Sequence, residues 1–138
     1  MSFEIKQRSV DGVTVVEFHG RLVSGPSIEA FRAKVEGLQA AGVKYVVLDL
    51  RETDYIDSSA LGCLVMTHTK FQKAGGKVTL FGLSSRQVEL LIITKLTTIF
   101  ALYEDEIDAV NACIPGRESR KFDLLSFIQR TRGKEGGG

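Results

Sequence analysis

Asp54-Tyr55-Ile56-Asp57-Ser58-Ser59-Ala60-Leu61-Gly62 is the stretch on which the reading of this 138-residue chain turns. It follows an apolar run over residues 43–50, with Val46, Val47, Leu48 and Leu50 nearly uninterrupted. A strand covered on both faces has this composition. It precedes residues 61–74, where Leu61, Leu64, Val65, His68 and Phe71 recur at helical spacing. Two adjacent hydroxyls therefore stand where a strand delivers the chain into a helix start. A helix start offers unpaired backbone N–H groups and a partial positive charge. It suits a Ser or Asp cap, an anion, or a phosphorylated serine.

Working outward, residues 3–8 and 13–18 flank Asp11-Gly12 and read as a β-hairpin. Residues 20–25 read as a loop, and Pro26 suits the first turn of a helix carrying Ile28, Phe31, Val35 and Leu38 on one face. Gly42 falls where a C-terminal cap belongs. Gly75-Gly76 ends the helix after the serines, and residues 77–81 form the next strand. Ser84-Ser85-Arg86-Gln87 has the S-x-x-Q form of a capping box, with Val88, Leu91 and Ile92 facing inward after it. Residues 98–103 read as a last strand and residues 104–113 as a last short helix. The order is ββαβαβαβα. This is an α/β domain with a largely parallel sheet and an N-terminal hairpin.

Residues 1–114 carry 12 basic and 14 acidic groups; residues 115–138 carry 6 basic and 3 acidic. The division expected is a domain over 1–114 and a basic amphipathic extension over 115–138 that ends in a flexible glycine-rich tail. In the extension, Phe122, Leu125 and Ile128 form a stripe, with Leu124 and Phe127 beside it. A stripe this short is marginal as a free helix. It is expected to dock on the domain, on a second copy to make a homodimer, or on a partner.

The net charge of +1 argues against direct nucleic-acid binding. No apolar run is long enough to span a membrane and no signal peptide is evident, so a cytoplasmic protein is expected. Cys63 and Cys113 lack metal-ligand or disulfide-scaffold spacing and read as buried thiols.

Enzyme chemistry fits poorly. A nucleophilic serine needs a base within hydrogen-bond reach. His68 lies ten positions from Ser58, roughly 15 Å along a helix, and there is no G-x-S-x-G elbow. Asp49, Asp54 and Asp57 have the composition of a hard-cation site, yet acids at a helix start are favourable without metal. Gly75-Gly76-Lys77 lacks the P-loop frame. No catalytic residue, metal ligand or cofactor is expected.

Val47-Leu48-Asp49-Leu50, Asp54 and Ile56-Asp57-Ser58-Ser59-Ala60-Leu61-Gly62 together resemble the signature of the STAS domains. These comprise the anti-sigma factor antagonists and the cytoplasmic domains of sulfate transporters. The resemblance extends to Gly20-Arg21-Leu22 and Gly75-Gly76-Lys77-Val78 and covers residues 3–114. The antagonist branch implies a partner-switching protein. Unphosphorylated, it binds an anti-sigma factor with serine kinase activity; phosphorylation of Ser58 releases it, and a PP2C-type phosphatase reverses the modification. The resemblance gives Asp57 a role in shaping the serine loop and in recognition by the kinase, and Ser59 a place in the helix cap.

The partner surface expected from helix geometry and from the carboxyl edge of the sheet comprises Asp54, Asp57, Ser58, Ser59, Gly62, Met66, Leu22, Val23 and Ser24. Met66 suits core packing equally well. Two residues depart from the family pattern. Val23 stands where antagonists commonly carry an acid, and Ala60 where glycine is frequent. The alternatives are a structural or adaptor STAS subunit that is not phosphorylated, or a module that binds a small molecule or nucleotide.

Overall fold

The computed structural model describes residues 3–136, with side chains up to Thr131. Strands β1 (Glu4–Val10) and β2 (Val13–Leu22) form the hairpin, turning at Asp11-Gly12. Helix α1 (Pro26–Ala40), strand β3 (Tyr45–Asp49), strand β4 (Thr53–Ile56), helix α2 (Ser58–Lys73) and strand β5 (Lys77–Phe81) follow. Helix α3 (Ser85–Ile93), a 3₁₀ turn (Leu96–Thr98), strand β6 (Ala101–Tyr103), helix α4 (Glu106–Asn111) and helix α5 (Leu124–Gly136) complete the chain. The sheet order is β1-β2-β3-β5-β6, and every pairing except the hairpin is parallel.

The period of two along the strands divides the core. Val16, Phe18, Val46 and Leu48 face Phe31 of α1 and Leu64 and Phe71 of α2. Val13, Val15, Val47, Phe81 and Tyr103 face the other way, toward Ala109 and Val110 of α4. That alternation across paired strands produces two buried faces from one apolar run. It is also why Val46, Val47 and Leu48 follow one another without a polar residue between them.

The element order differs from the expected one by a strand. Residues 20–22, expected in a loop, continue β2, and residues 53–56 pair with them in parallel. Gly20, at φ 110°, takes a backbone that L side chains rarely adopt, and it stands where β2 leaves β3 for β4. Between Gly20 and Arg21 the register advances by one extra residue, so Asp54 has no opposite number on β2. The result is a bulge, a device that re-aims side chains near sites. The last strand and the last domain helix are shorter than expected, because residues 96–98 wind into the 3₁₀ turn and α4 begins at Glu106.

The extension packs on its own domain. The Phe122 N–H donates to the Leu102 carbonyl at 2.9 Å, and Lys121 bridges Tyr103 in antiparallel fashion. This covers the edge of β6, which would otherwise present unpaired backbone groups. Phe122 packs on the core and against Phe127, with ring centroids 5.8 Å apart, and Phe127 is buried. Arg117 pairs with Asp11 of the hairpin turn at 2.9 Å, and Asp108 accepts the Arg120 N–H at 3.0 Å. Of the docking surfaces open to the stripe, the chain's own domain takes Phe122 and Phe127; Leu125 stays exposed. The backbone of α5 is helical through Gly136, and the final two glycines lie outside the described residues.

Candidate functional site

Asp57 is the N-cap of α2, and its backbone is extended, as a cap requires. Its Oδ1 accepts the Ala60 N–H at 2.9 Å and its Oδ2 accepts the Ser24 N–H at 2.8 Å. Its own N–H donates to the Leu22 carbonyl at 3.3 Å. One residue thus closes the helix end and fastens the loop between β2 and α1 beside it. These donors, the Ser24 N–H first and the Ala60 N–H after it, hold the Asp57 carboxyl below its ordinary range.

Ser58 is the first residue of α2 and is exposed. Its hydroxyl makes no hydrogen bond among the described residues, because Asp57 already supplies the cap. Ser59, also exposed, occupies the second helical position rather than the cap. Of the Ser or Asp cap expected at this junction, Asp57 is the residue that makes it, and Ser59 lies inside the helix. The Asp57 carboxylate at the positive end of α2, with no further acid in the first turn, and Lys70 and Lys73 in the last turn both match the helix dipole.

The rest of the expected surface assembles around Ser58 unevenly. Gly62, one turn along α2, is exposed, and a Cβ added there would find nothing within 4 Å. Val23 and Ser24 flank Asp57, and Val23 is half-buried. Its N–H donates to Ser27 Oγ at 2.9 Å. Leu22 is fully buried and contributes only its carbonyl. Met66 is half-buried and packs against the main core, so it offers an edge rather than a free side chain. Asp54 is exposed at the bulge.

The three aspartates do not converge. Asp49 is buried and forms a two-pronged pair with Arg51, its Oδ1 accepting Nε at 3.0 Å and its Oδ2 accepting Nη2 at 2.8 Å. Arg8 links the same cluster to Glu17 and Glu106. The side chain of Arg51 fits because Gly82 lacks a Cβ, which would lie 2.4 Å from Arg51 Cγ. Asp49 thus fastens the turn that leads into β4. Among the described residues no group of three or more His, Cys, Asp or Glu side chains is placed to hold a metal. His68 is half-buried, edge-on to Phe100 at 6.2 Å, and both cysteines are buried thiols pushed up by desolvation. No helix among the described residues is long and apolar enough to cross a membrane.

Sequence reasoning missed the second wall of the site. Gln87 completes the expected capping box, its Oε1 accepting the Ser84 N–H at 3.0 Å while the Gln87 N–H donates to Ser84 Oγ at 3.2 Å. Its Nε2 then donates to the Thr53 carbonyl at 2.9 Å, joining α3 to β4. Between them lies a groove of about 580 Å³ that runs from Tyr55 past Ser58 to Ile93. The capping box was legible; its spare donor gave no sequence signal.

The chain thus combines a mostly parallel sheet with an exposed serine that opens a helix beside a half-buried capping aspartate. The chain belongs to the STAS domain family, whose model matches residues 4–109. It is 34% identical over 119 residues to the anti-sigma-B factor antagonist of Listeria monocytogenes, an alignment covering 81% of this chain and 98% of that protein. It is 24% identical over 110 residues to the anti-sigma F factor antagonist of Paenibacillus polymyxa, covering 80% and 94%. The fold matches an anti-sigma factor antagonist from Mycobacterium paratuberculosis with a TM-score of 0.72 at 24% identity, covering 81% of this chain and 94% of that one. It also matches a Bacillus cell-fate determinant in its phosphorylated form, with a TM-score of 0.62 at 18% identity and coverage of 80% and 98%.

Proposed function

We propose that this protein is a cytoplasmic anti-sigma factor antagonist that works by partner switching. Unphosphorylated, it binds an anti-sigma factor that is also a serine kinase, and so frees the sigma factor. The kinase phosphorylates Ser58, the complex dissociates, and a PP2C-type phosphatase restores the binding form. The chain is ligand and substrate in this cycle; the nucleotide, metal and base of phosphoryl transfer belong to the kinase.

The observation that carries this reading is the division of labour at the start of α2. Asp57 makes the cap and the loop tie, while Ser58 stands exposed with no structural task. A phosphate adds about −1.5 to −2 charges and three acceptor oxygens. The positive end of α2 favours an anion there. A partner surface closed over the same spot would have to desolvate a dianion, which costs a few kcal/mol and lowers affinity about a hundredfold or more. The switch therefore needs no refolding. The names of the curated relatives agree with this role.

The test is incubation of the purified chain with ATP and each candidate anti-sigma factor kinase of its source organism. A mass gain of one phosphate is expected on the peptide containing Ser58 and is absent in Ser58→Ala. The Ser58→Ala protein should melt like wild type and bind the kinase. Ser58→Asp should bind it more weakly. Phosphate on another residue, or full affinity of Ser58→Asp, contradicts the proposal.

A further inference from the structure

The groove beside Ser58 continues beyond the family motif. Ile93, the last residue of α3, lines it and is 77% exposed, the most exposed of the large apolar side chains among the described residues. Val88 and Leu91 of the same helix are buried, so α3 meets its packing needs without Ile93. One exposed aliphatic side chain is ordinary on a surface, but Ile93 lines the same groove as Tyr55, Ile56, Leu61 and Leu90, and an apolar groove of this kind beside a recognition residue suits a partner.

The groove walls are held in advance. Gln87, 6% exposed, fixes α3 to β4 through the Thr53 carbonyl. On the opposite wall, the Arg21 guanidinium sits 5.3 Å from the centre of the Tyr55 ring and steadies an aromatic side chain that is 44% exposed. Pre-organised walls reduce the ordering cost of binding. The charges lining the groove are Asp54, Asp57 and Glu89 against Arg86, with Arg21 behind Tyr55, which leaves an acidic excess of one. A standard interface covers about 800 Å² on each partner. A footprint of that size centred on Ser58 includes this groove.

We infer that the groove between β4 and α3 seats a segment of the Ser58 kinase that carries an apolar anchor next to a basic side chain, with Ile93 as its principal contact outside the motif. This rests on the reading of Ser58 as the switch. It makes Ile93 and Tyr55 determinants of which kinase is recognised, in a protein whose Val23 departs from the acidic residue common in antagonists.

The probe is the recombinant kinase that phosphorylates this chain in vitro, without nucleotide, titrated against wild type, Ile93→Met, Ile93→Glu, Ile93→Lys and Ser58→Asp. The three Ile93 variants should keep the wild-type melting temperature, since the side chain is exposed. Ile93→Met should stay within about threefold of wild-type affinity. Ile93→Lys should lose about tenfold or more, and more than Ile93→Glu, because it adds like charge opposite a basic segment. If Ile93→Lys stays within about twofold of wild type while Ser58→Asp weakens, the groove is no contact; the inference falls and the switch reading stands. If Ile93→Glu binds no better than Ile93→Lys, the basic character assigned to the segment is wrong. If Ser58→Asp binds at full strength, the switch reading falls and takes this occupant with it.

Discussion

The side chain of Asp57 and the backbone N–H of Ser24 meet at 2.8 Å although 33 positions separate them in the chain. Through this bond the loop ahead of α1 and the start of α2 become one surface, with Ser58 beside the join. Asp57→Ala removes both the tie and the cap. The expected loss is about 1–2 kcal/mol, the upper part of the range for a cap alone. Amide exchange should accelerate at Ser24 and Ala60 before it does in the strands. Unchanged exchange at Ser24 would show that the bond does not hold the loop.

The same carboxylate predicts a pH dependence with a definite sign. The Ser24 N–H, helped by the Ala60 N–H, depresses the Asp57 pKa in the folded state. A depressed carboxyl contributes stability that is present above its unfolded value and is lost as pH falls through its folded value. Asp57→Asn keeps one acceptor but no charge. Its stability deficit against wild type should be full at pH 7 and should shrink below about pH 4. A deficit that does not change with pH, measured by urea unfolding, would remove the charge from the account.

Gly62 separates stability from recognition. It lies in the second turn of α2 with open space above it. Gly62→Ala should stabilise the chain by about 0.5–1 kcal/mol, because glycine in a helix costs that much in backbone entropy. Gly62→Phe should fold and yet block a partner that lies flat over Ser58 and Gly62, lowering affinity about tenfold or more. Wild-type binding by Gly62→Phe would move the partner off this face.

In the extension, burial outweighs charge. Phe127 is buried and packs with Phe122 against the covered edge of β6, so Phe127→Ala should cost about 2 kcal/mol or more. The Arg117–Asp11 pair is exposed on both sides, and Arg117→Ala should cost less than about 1 kcal/mol. Thermal unfolding of the two variants tests the ranking, and the reverse order would mean that the ion pair anchors the segment.

What the sequence made legible depended on local physics. The apolar run into β3, the Ser84 capping box, the Gly42 helix stop and the Asp57-Ser58 junction each carry their signal within a few residues. Strand β4 carried none. Only Thr53 and Ile56 of its four residues are buried, Asp54 and Tyr55 between them are exposed, and its partner is the far end of β2. The assignment of the cap to Asp57 rather than a serine depended on a backbone angle. The contacts of Asp57 with Ser24 and of Gln87 with Thr53 depended on segments brought together only by folding. A structural role is expected for Asp49, but its partners Arg51 and Arg8 become identifiable only in the fold.

The central claim is that a phosphate on Ser58 breaks the complex without rearranging the domain. The most direct measurement is a titration of the anti-sigma factor kinase with chain phosphorylated on Ser58 and with the unmodified chain, alongside amide chemical shifts of both forms. The account predicts at least about a hundredfold loss of affinity, with shifts confined to residues 54–62 and the adjoining loop at 22–24. Equal affinity of the two forms, or shifts spread across the sheet, would contradict it.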